Sequence, residues 1–149
     1  MMIEIITLRL ATIQDADLLL EWRNNPETRK ASHHGAEIKR EEHISWLTKT
    51  LDNQNRKLLV AEKSGTPVGV VRADFSEGVW ELSWTVAPNA RGYGVAKQMV
   101  KMLAMLISEP IRAEIKVDNK ASVRIAENAG LKFSRQSNGV LHYRRAALK

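Results

Sequence analysis

Between Arg56 and Val86 the hydrophobic period of the chain falls to two and turn residues arrive at short intervals, which is the pattern of an antiparallel meander. Its strands are expected at Arg56 to Lys63, Val68 to Phe75 and Val79 to Val86, with turns at Ser64-Gly65-Thr66-Pro67 and Ser76-Glu77-Gly78. Such a sheet has to be covered by other elements, and this limits what the flanking segments can be. Upstream, Glu4 to Ala11 reads as a first strand with Ile6, Leu8 and Leu10 on one face. Thr12 is a predicted N-cap with Asp15 in the first turn, opening a helix with an apolar stripe of Ala16, Leu19 and Leu20 that Pro26 ends. Glu27 to Ile38, which contains His33-His34-Gly35, has no clear period and reads as a loop or irregular helix. A second helix begins at Arg40, with Ile44, Leu47 and Leu51 stacked at helical spacing and His43 and Trp46 on an adjoining stripe, and ends at Asp52-Asn53-Gln54-Asn55.

Downstream, Val86 runs through Ala87-Pro88 into Arg91-Gly92-Tyr93-Gly94, and this loop opens into a helix from Val95 to Ile107 with a core stripe of Met99, Val100, Leu103, Leu106 and Ile107. Gly92 and Gly94 allow a tight turn whose N–H groups point one way, and the helix adds its unpaired N–H groups and the positive end of its dipole. The corner is therefore an anion seat suited to a pyrophosphate, or else a plain turn. Its glycine spacing matches neither a Walker loop nor a G-x-G-x-x-G fingerprint. After Pro110 come a short strand, Ile111 to Val117, a helix from Asn119 to Ala129 ended by Gly130, and two strands, Leu131 to Gln136 and Val140 to Arg145. Ser137-Asn138-Gly139 joins the last two as a hairpin. The order predicts an α+β fold, a mixed α/β sandwich with one mostly antiparallel sheet of about seven strands and helices on both faces.

With 149 residues and 44% apolar content, one domain over residues 1–149 is expected. The N-terminus alternates apolar and polar residues, which predicts neither a signal peptide nor a membrane span and makes a cytoplasmic location the expectation. The absence of cysteine excludes disulfides, thiolate metal sites and a cysteine nucleophile, and the four histidines lack ligand spacing, so no metal is expected. A net charge of +6 points to an anionic partner, yet the basic residues are spread along the chain, which argues against nucleic acid. One local enrichment, Arg91, Lys97 and Lys101 with Lys120 and Arg124, suits a polyphosphate cofactor or is a solvated basic face.

Arg91-Gly92-Tyr93-Gly94-Val95-Ala96 matches Q/R-x-x-G-x-G/A, and Asn119-Lys120-Ala121-Ser122 followed by Glu127-Asn128-Ala129-Gly130-Leu131 is similar to N-x-x-S/A with a helix ending in G-F. In these motifs and in element order, over nearly its whole length, the chain resembles the GNAT acyl-CoA-dependent N-acetyltransferases. The resemblance implies a V-shaped splay between the fourth and fifth strands and acetyl-CoA as cofactor. It implies that the backbone of Arg91, Gly92, Tyr93, Gly94, Val95 and Ala96 binds the pyrophosphate, that Lys97 or Arg91 reaches other phosphate oxygens, and that the strand edge ending at Val86 pairs with the pantetheine amides. Asn119, a helix N-cap on its own residues, and Ser122 are implied to face the cofactor from the far side.

Transfer of an acetyl group to an amine needs a base, and Glu81, within Trp80-Glu81-Leu82-Ser83-Trp84, is the candidate; the alternative is a solvent-facing strand carboxylate. Many family members carry a helix tyrosine that protonates the leaving thiolate, where this chain has Ala126. Tyr143, Ser122 and Tyr93 are the candidate replacements. Trp22-Arg23-Asn24 and His43-Ile44-Ser45-Trp46 resemble the branch acting on nucleotide-linked amino sugars and overlap with the branch acting on ribosomal-protein N-termini. By that resemblance Trp22, Arg23, Asn24, Arg29, His43 and Trp84 border the acceptor, while Trp22 and Trp46 also read as core anchors. Three functions follow: an acetyltransferase of a nucleotide-linked amino sugar, one of a protein N-terminus or polyamine, or a non-catalytic acyl-CoA or nucleic-acid binding module. A homodimer is compatible with each.

Overall fold

The computed structural model describes residues 5–32 and 35–149. Glu4, expected to begin the first strand, and His33 and His34, expected in a loop or irregular helix, lie outside the described residues. The elements are β1 (Ile6–Leu10), a 3-10 turn (Ile13–Asp15), α1 (Ala16–Asn24), α2 (Pro26–Ala31), α3 (Arg40–Asp52), β2 (Arg56–Lys63), β3 (Thr66–Ser76), β4 (Val79–Val86), α4 (Val95–Leu106), β5 (Ile111–Lys116), α5 (Lys120–Asn128), β6 (Lys132–Ser137) and β7 (Val140–Arg145). They form one sheet in the order β1-β2-β3-β4-β5-β7-β6, antiparallel except where β4 meets β5. The α+β arrangement expected from element order is the one observed. Among the described residues no helix is long and apolar enough to cross a membrane.

Each face of the sheet has its own core. On one face α4 lays Met99, Val100, Leu103 and Ala104 against Val71 and Ala73 of β3 and Trp80 and Leu82 of β4, and Ala126 of α5 joins them. On the other, Leu19 and Trp22 of α1 and Leu47 of α3 pack on Leu58 and Val60 of β2. Strand alternation divides the sheet residues between the two cores, since successive side chains point to opposite faces. Helix α4 approaches β3 closely at Gly69, where an added Cβ would lie 2.9 Å from Met99 Sδ and 3.1 Å from the Thr85 carbonyl oxygen. Gly69→Val is expected to lower stability by about 1–3 kcal/mol, the usual cost of overpacking, and to reduce the urea midpoint accordingly. An unchanged midpoint would show that α4 does not rest on β3 there.

Four expectations need correction. Leu10, Leu51 and Leu106, assigned to apolar stripes, are 69%, 38% and 71% exposed. Each stands at or near the end of its element, where the covering partner has run out. The core stripe of α3 is His43, Leu47 and Thr50, one position round from the apolar reading, because the imidazole finds buried hydrogen-bond partners. Pro26 ends α1 but also begins α2 as its first residue, with Asn25 Oδ1 accepting from the Glu27 N–H as the N-cap. The segment after Pro26, read as a loop or irregular helix, is therefore helical as far as Ala31.

Two local devices match their residues. Thr12 Oγ1 accepts from the Gln14 N–H while the Thr12 N–H donates to Asp15, and Asp15 also takes a two-pronged bond from Arg9 at 2.8 and 2.9 Å. The hairpin between β6 and β7 has Asn138 at φ 51° and Gly139 at φ 78°, as its tight turn requires.

Candidate active site

Strands β4 and β5 are paired only at Trp80↔Ile111 and Glu81↔Arg112, after which they diverge. The Ala87 N–H donates to Val68 on β3, and the Trp80 N–H donates to Pro110 beside β5, so even-numbered residues of β4 turn their backbone groups away from β3. Beyond the last pair, Trp84 and Val86 thus present backbone groups to the gap between the diverging strands. Glu81 stands at the vertex of this V. Its carboxylate accepts from Arg112 Nε at 3.1 Å and is about one-third exposed. Trp80 and Trp84 project to the opposite face, towards α4, so the carboxylate is beside neither tryptophan of its own strand.

Five residues beyond Glu81, about 17 Å along an extended strand, β4 gives way to the glycine corner. Gly92 and Gly94 have φ of 85° and 77°, and a Cβ on either would meet nothing within 4 Å. Gly94 is the N-cap of α4 and contributes no side-chain hydrogen bond, so among the described residues no side chain caps the first N–H groups of the helix. At α5 the opposite holds, because Asn119 Oδ1 accepts from the Ser122 N–H. Between the start of α4 and α5 lies an open depression of about 390 Å³ lined by Lys97, Arg124, Ile125, Glu127 and Asn128. Asn128 Nδ2 is buried there with no hydrogen-bond partner among the described residues. It is an unsatisfied donor that sequence reasoning missed, since an asparagine near a helix end ordinarily reads as a cap.

Arg91 turns inward instead of reaching outward: Nε donates to the Val86 carbonyl at 3.3 Å and a terminal nitrogen donates to Thr28 Oγ1 at 2.8 Å. On the other arm of the V, Lys116 Nζ donates to the Lys30 carbonyl at 2.9 Å. Helix α2 is thereby tied to both arms and spans the mouth of the gap.

Residues 6–132 match the family described as acetyltransferase (GNAT) domain. The chain belongs to the GNAT acetyltransferases. No curated protein sequence matches it significantly. The fold of this acetyltransferase is shared with an N-acetyltransferase from Staphylococcus aureus (TM-score 0.81, 20% identity, 95% of this chain and 98% of the other). It is shared also with a ribosomal-protein-alanine N-acetyltransferase from Brucella melitensis (0.76, 23%, 94% and 99%). An aminoglycoside acetyltransferase solved with coenzyme A is similar to the same degree (0.80, 19%, 95% and 94%). The activity of the family is acetyl transfer from acetyl-CoA, and this acetyltransferase is an enzyme of that class.

The residues expected on the acceptor side of the GNAT domain separate into groups. Trp22 is 4% exposed and is a core anchor. Asn24 uses both ends of its amide on one residue, donating to the Ile38 carbonyl and accepting from the Ile38 N–H, so it pins the chain before α3. His43 is fully buried, with Nε2 at 2.8 Å from the Ala16 carbonyl and Nδ1 at 3.0 Å from an Arg23 terminal nitrogen. These partners select the neutral tautomer in which Nε2 donates and Nδ1 accepts. Burial pushes the His43 pKa down, and the Arg23 charge adds to this. His43 is therefore enclosed with both ring nitrogens engaged, one of them on Arg23. Arg23 lies 4.4 Å over the Trp46 ring, and burial followed by the charge of Arg72 lowers its pKa. Arg29 is half-buried, with Nε enclosed and without a hydrogen-bond partner among the described residues. Trp84 lies on the α4 face.

Of the candidate proton donors, Tyr143 is 5% exposed on β7, stacked edge-on with Phe133, and burial followed by the Glu127 charge raises its pKa. Its ring fills the core because β7 alternation points it towards α5. Tyr93 is 70% exposed in the corner, and Ser122 is half-buried in the first turn of α5.

A neutral His43 has a pH consequence. Its folded pKa lies below the ordinary value, so below about pH 6.5 the unfolded chain binds a proton that the folded chain refuses, and stability falls with pH by up to about 1.4 kcal/mol per pH unit until the folded pKa is reached. His43→Gln is expected to be less stable at neutral pH yet to lose less between pH 7 and 5 in thermal melts. Parallel losses in both proteins would contradict this role.

Proposed function

We propose that this acetyltransferase transfers the acetyl group of acetyl-CoA to the primary amine of a nucleotide-linked amino sugar, with the V between β4 and β5 as its reaction site. The observation that carries the reading is the alignment of a carboxylate, an unpaired strand edge and an uncapped glycine corner along one strand: Glu81, the edge at Trp84 and Val86, and Gly92 to Gly94. The residues fit acetyl-CoA. Open space over both glycines, free N–H groups at the start of α4 and the orphaned Asn128 amide beside Lys97 and Arg124 are acceptor-seeking features along one path.

In this reading the backbone of Arg91 to Ala96 and the Lys97 ammonium hold the pyrophosphate, and the edge at Trp84 and Val86 holds the pantetheine amides as an added strand. Arg91 acts through its backbone and by bracing Val86, with its guanidinium committed to the protein. Asn119 caps α5 and so sets the position of Ser122. Acetyl-CoA supplies the thioester whose carbonyl carbon the amine attacks, with coenzyme A leaving as the thiolate. Glu81 accepts the proton of the substrate ammonium, directly or through a water, and Arg112 holds the carboxylate at the vertex. An N–H of the β4 edge donates to the oxygen that gains charge in the attack. The Ser122 hydroxyl, with no hydrogen-bond partner among the described residues, is better placed than the enclosed Tyr143 to return a proton to the thiolate.

The amino-sugar assignment rests on Arg23 and Arg29, the two arginines expected beside the acceptor, whose guanidiniums suit a diphosphate. Thiol release from acetyl-CoA, measured against UDP- and dTDP-amino sugars, N-terminal peptides and aminoglycosides, tests it. Turnover is expected with the nucleotide sugars. Preference for a peptide or an aminoglycoside would transfer the acceptor to that class, and no turnover with any would favour a binding module.

A further inference from the structure

On the face of the sheet that α1 and α3 cover, charge is arranged asymmetrically around the vertex. Asp74 of β3 stands opposite Glu81 of β4, two like charges in a register pair that is unfavourable unless compensated. Arg72 Nε donates to Asp74 at 3.0 Å, Arg56 Nε lies 3.8 Å from the other Asp74 oxygen, and Arg112 holds Glu81. A fourth guanidinium, Arg23, descends from α1 onto the same face, and its one polar partner among the described residues is the neutral His43. Four guanidiniums thus meet two carboxylates, and Arg23 has no acidic partner among the described residues. Trp46 is the platform that gathers the excess, with Arg23 4.4 Å and Arg72 5.5 Å from its ring centre. Two guanidiniums brought together on one indole, one of them half-buried and unpaired, repel each other and carry a desolvation cost that an oxyanion between them would offset.

We propose that Arg23 and Arg72, gathered on Trp46, bind an oxyanion carried by the acceptor substrate and so direct its amine to Glu81. This rests on the acetyltransferase reading of the Glu81 face and adds Arg72, Trp46 and the orienting role of His43 to it. Arg72 is the diagonal neighbour of Glu81 across β3 and β4, about 7–8 Å away in such a register. The acceptor that fits therefore has a phosphate or carboxylate close to its reactive amine. A plain polycation is disfavoured, because it would bring a further positive charge to a face that already has an excess.

The test uses the full chain saturated with coenzyme A, which fills the glycine corner and keeps other phosphates out of it. UDP and succinate are then titrated separately as probes while Tm is recorded. A further rise in Tm with at least one probe is expected. Arg72→Gln and Arg23→Gln are each expected to bind that probe at least tenfold more weakly while keeping the rise produced by coenzyme A itself. A response to UDP alone assigns the oxyanion to a phosphate, and a response to succinate alone assigns it to a carboxylate. If neither probe raises Tm, or if both variants respond as the wild type does, the proposal is overturned. Arg72→Gln keeps the test decisive if Arg23→Gln unfolds, since Arg72 lies outside both cores. Absence of the coenzyme A shift itself would count against the cofactor site and not against the oxyanion site.

Discussion

Glu81→Gln is expected to lower kcat at neutral pH by about 10²–10⁴-fold, the usual worth of a positioned base, with little change in Tm. The carboxylate stands where β4 and β5 part, anchored by Arg112, and belongs to neither core. Glutamine preserves the shape and still offers an oxygen to Arg112, so the loss isolates proton transfer from architecture. As pH rises the acceptor amine sheds its proton unaided, and the variant should recover part of the deficit. Thiol release followed from pH 6.5 to 9.5 with the best acceptor reads this directly. A variant with the wild-type rate and profile would remove Glu81 from the mechanism.

The second large effect concerns the corner. At acetyl-CoA about 100 times its Kd, linkage stabilises the native state by about 2.7 kcal/mol, or roughly 5–10 °C in Tm for a chain of this size. Gly94→Asp is expected to abolish that rise. The substitution places a carboxylate where Gly94 now leaves open space, opposite the N–H groups that would receive phosphate. It also puts a side chain at φ 77°, which by itself costs about 1–2 kcal/mol. Gly94→Ala carries that strain without the charge, so comparison of the two separates a weakened scaffold from a blocked seat. Retention of the full rise in Gly94→Asp would move the phosphate elsewhere.

Strand alternation and turn chemistry made most of the fold legible in the sequence. The meander, the glycine corner and the final hairpin all lie in segments whose local rules agree with one another. Errors clustered where tertiary partners decide. Leu106 is exposed and Ile107 buried at the end of α4, a choice made by packing, and whether His43 joins the core depends on the Ala16 carbonyl, 27 residues earlier in the chain. The proposed cofactor side was legible because it is built from backbone, with positive-φ glycines at a helix start that leave a mark in sequence. The proposed acceptor side is built from side chains on α1, α3 and β3 that meet only in the fold. Arg72 is an unremarkable strand arginine until Trp46 and Arg23 close over it, and Arg91 reads as a phosphate ligand until Thr28 and the Val86 carbonyl take its donors.

In the proposed mode of binding, one continuous line, from the edge of β4 at Trp84 and Val86 to the corner at Gly92 to Ala96, receives acetyl-CoA. Amide hydrogen exchange resolved by residue, with and without saturating acetyl-CoA, tests it most directly. Marked slowing is expected at Trp84, Val86 and the amides from Gly92 to Ala96, with β1 and β2 unchanged. Binding that leaves those amides exchanging at the same rate would contradict the assignment.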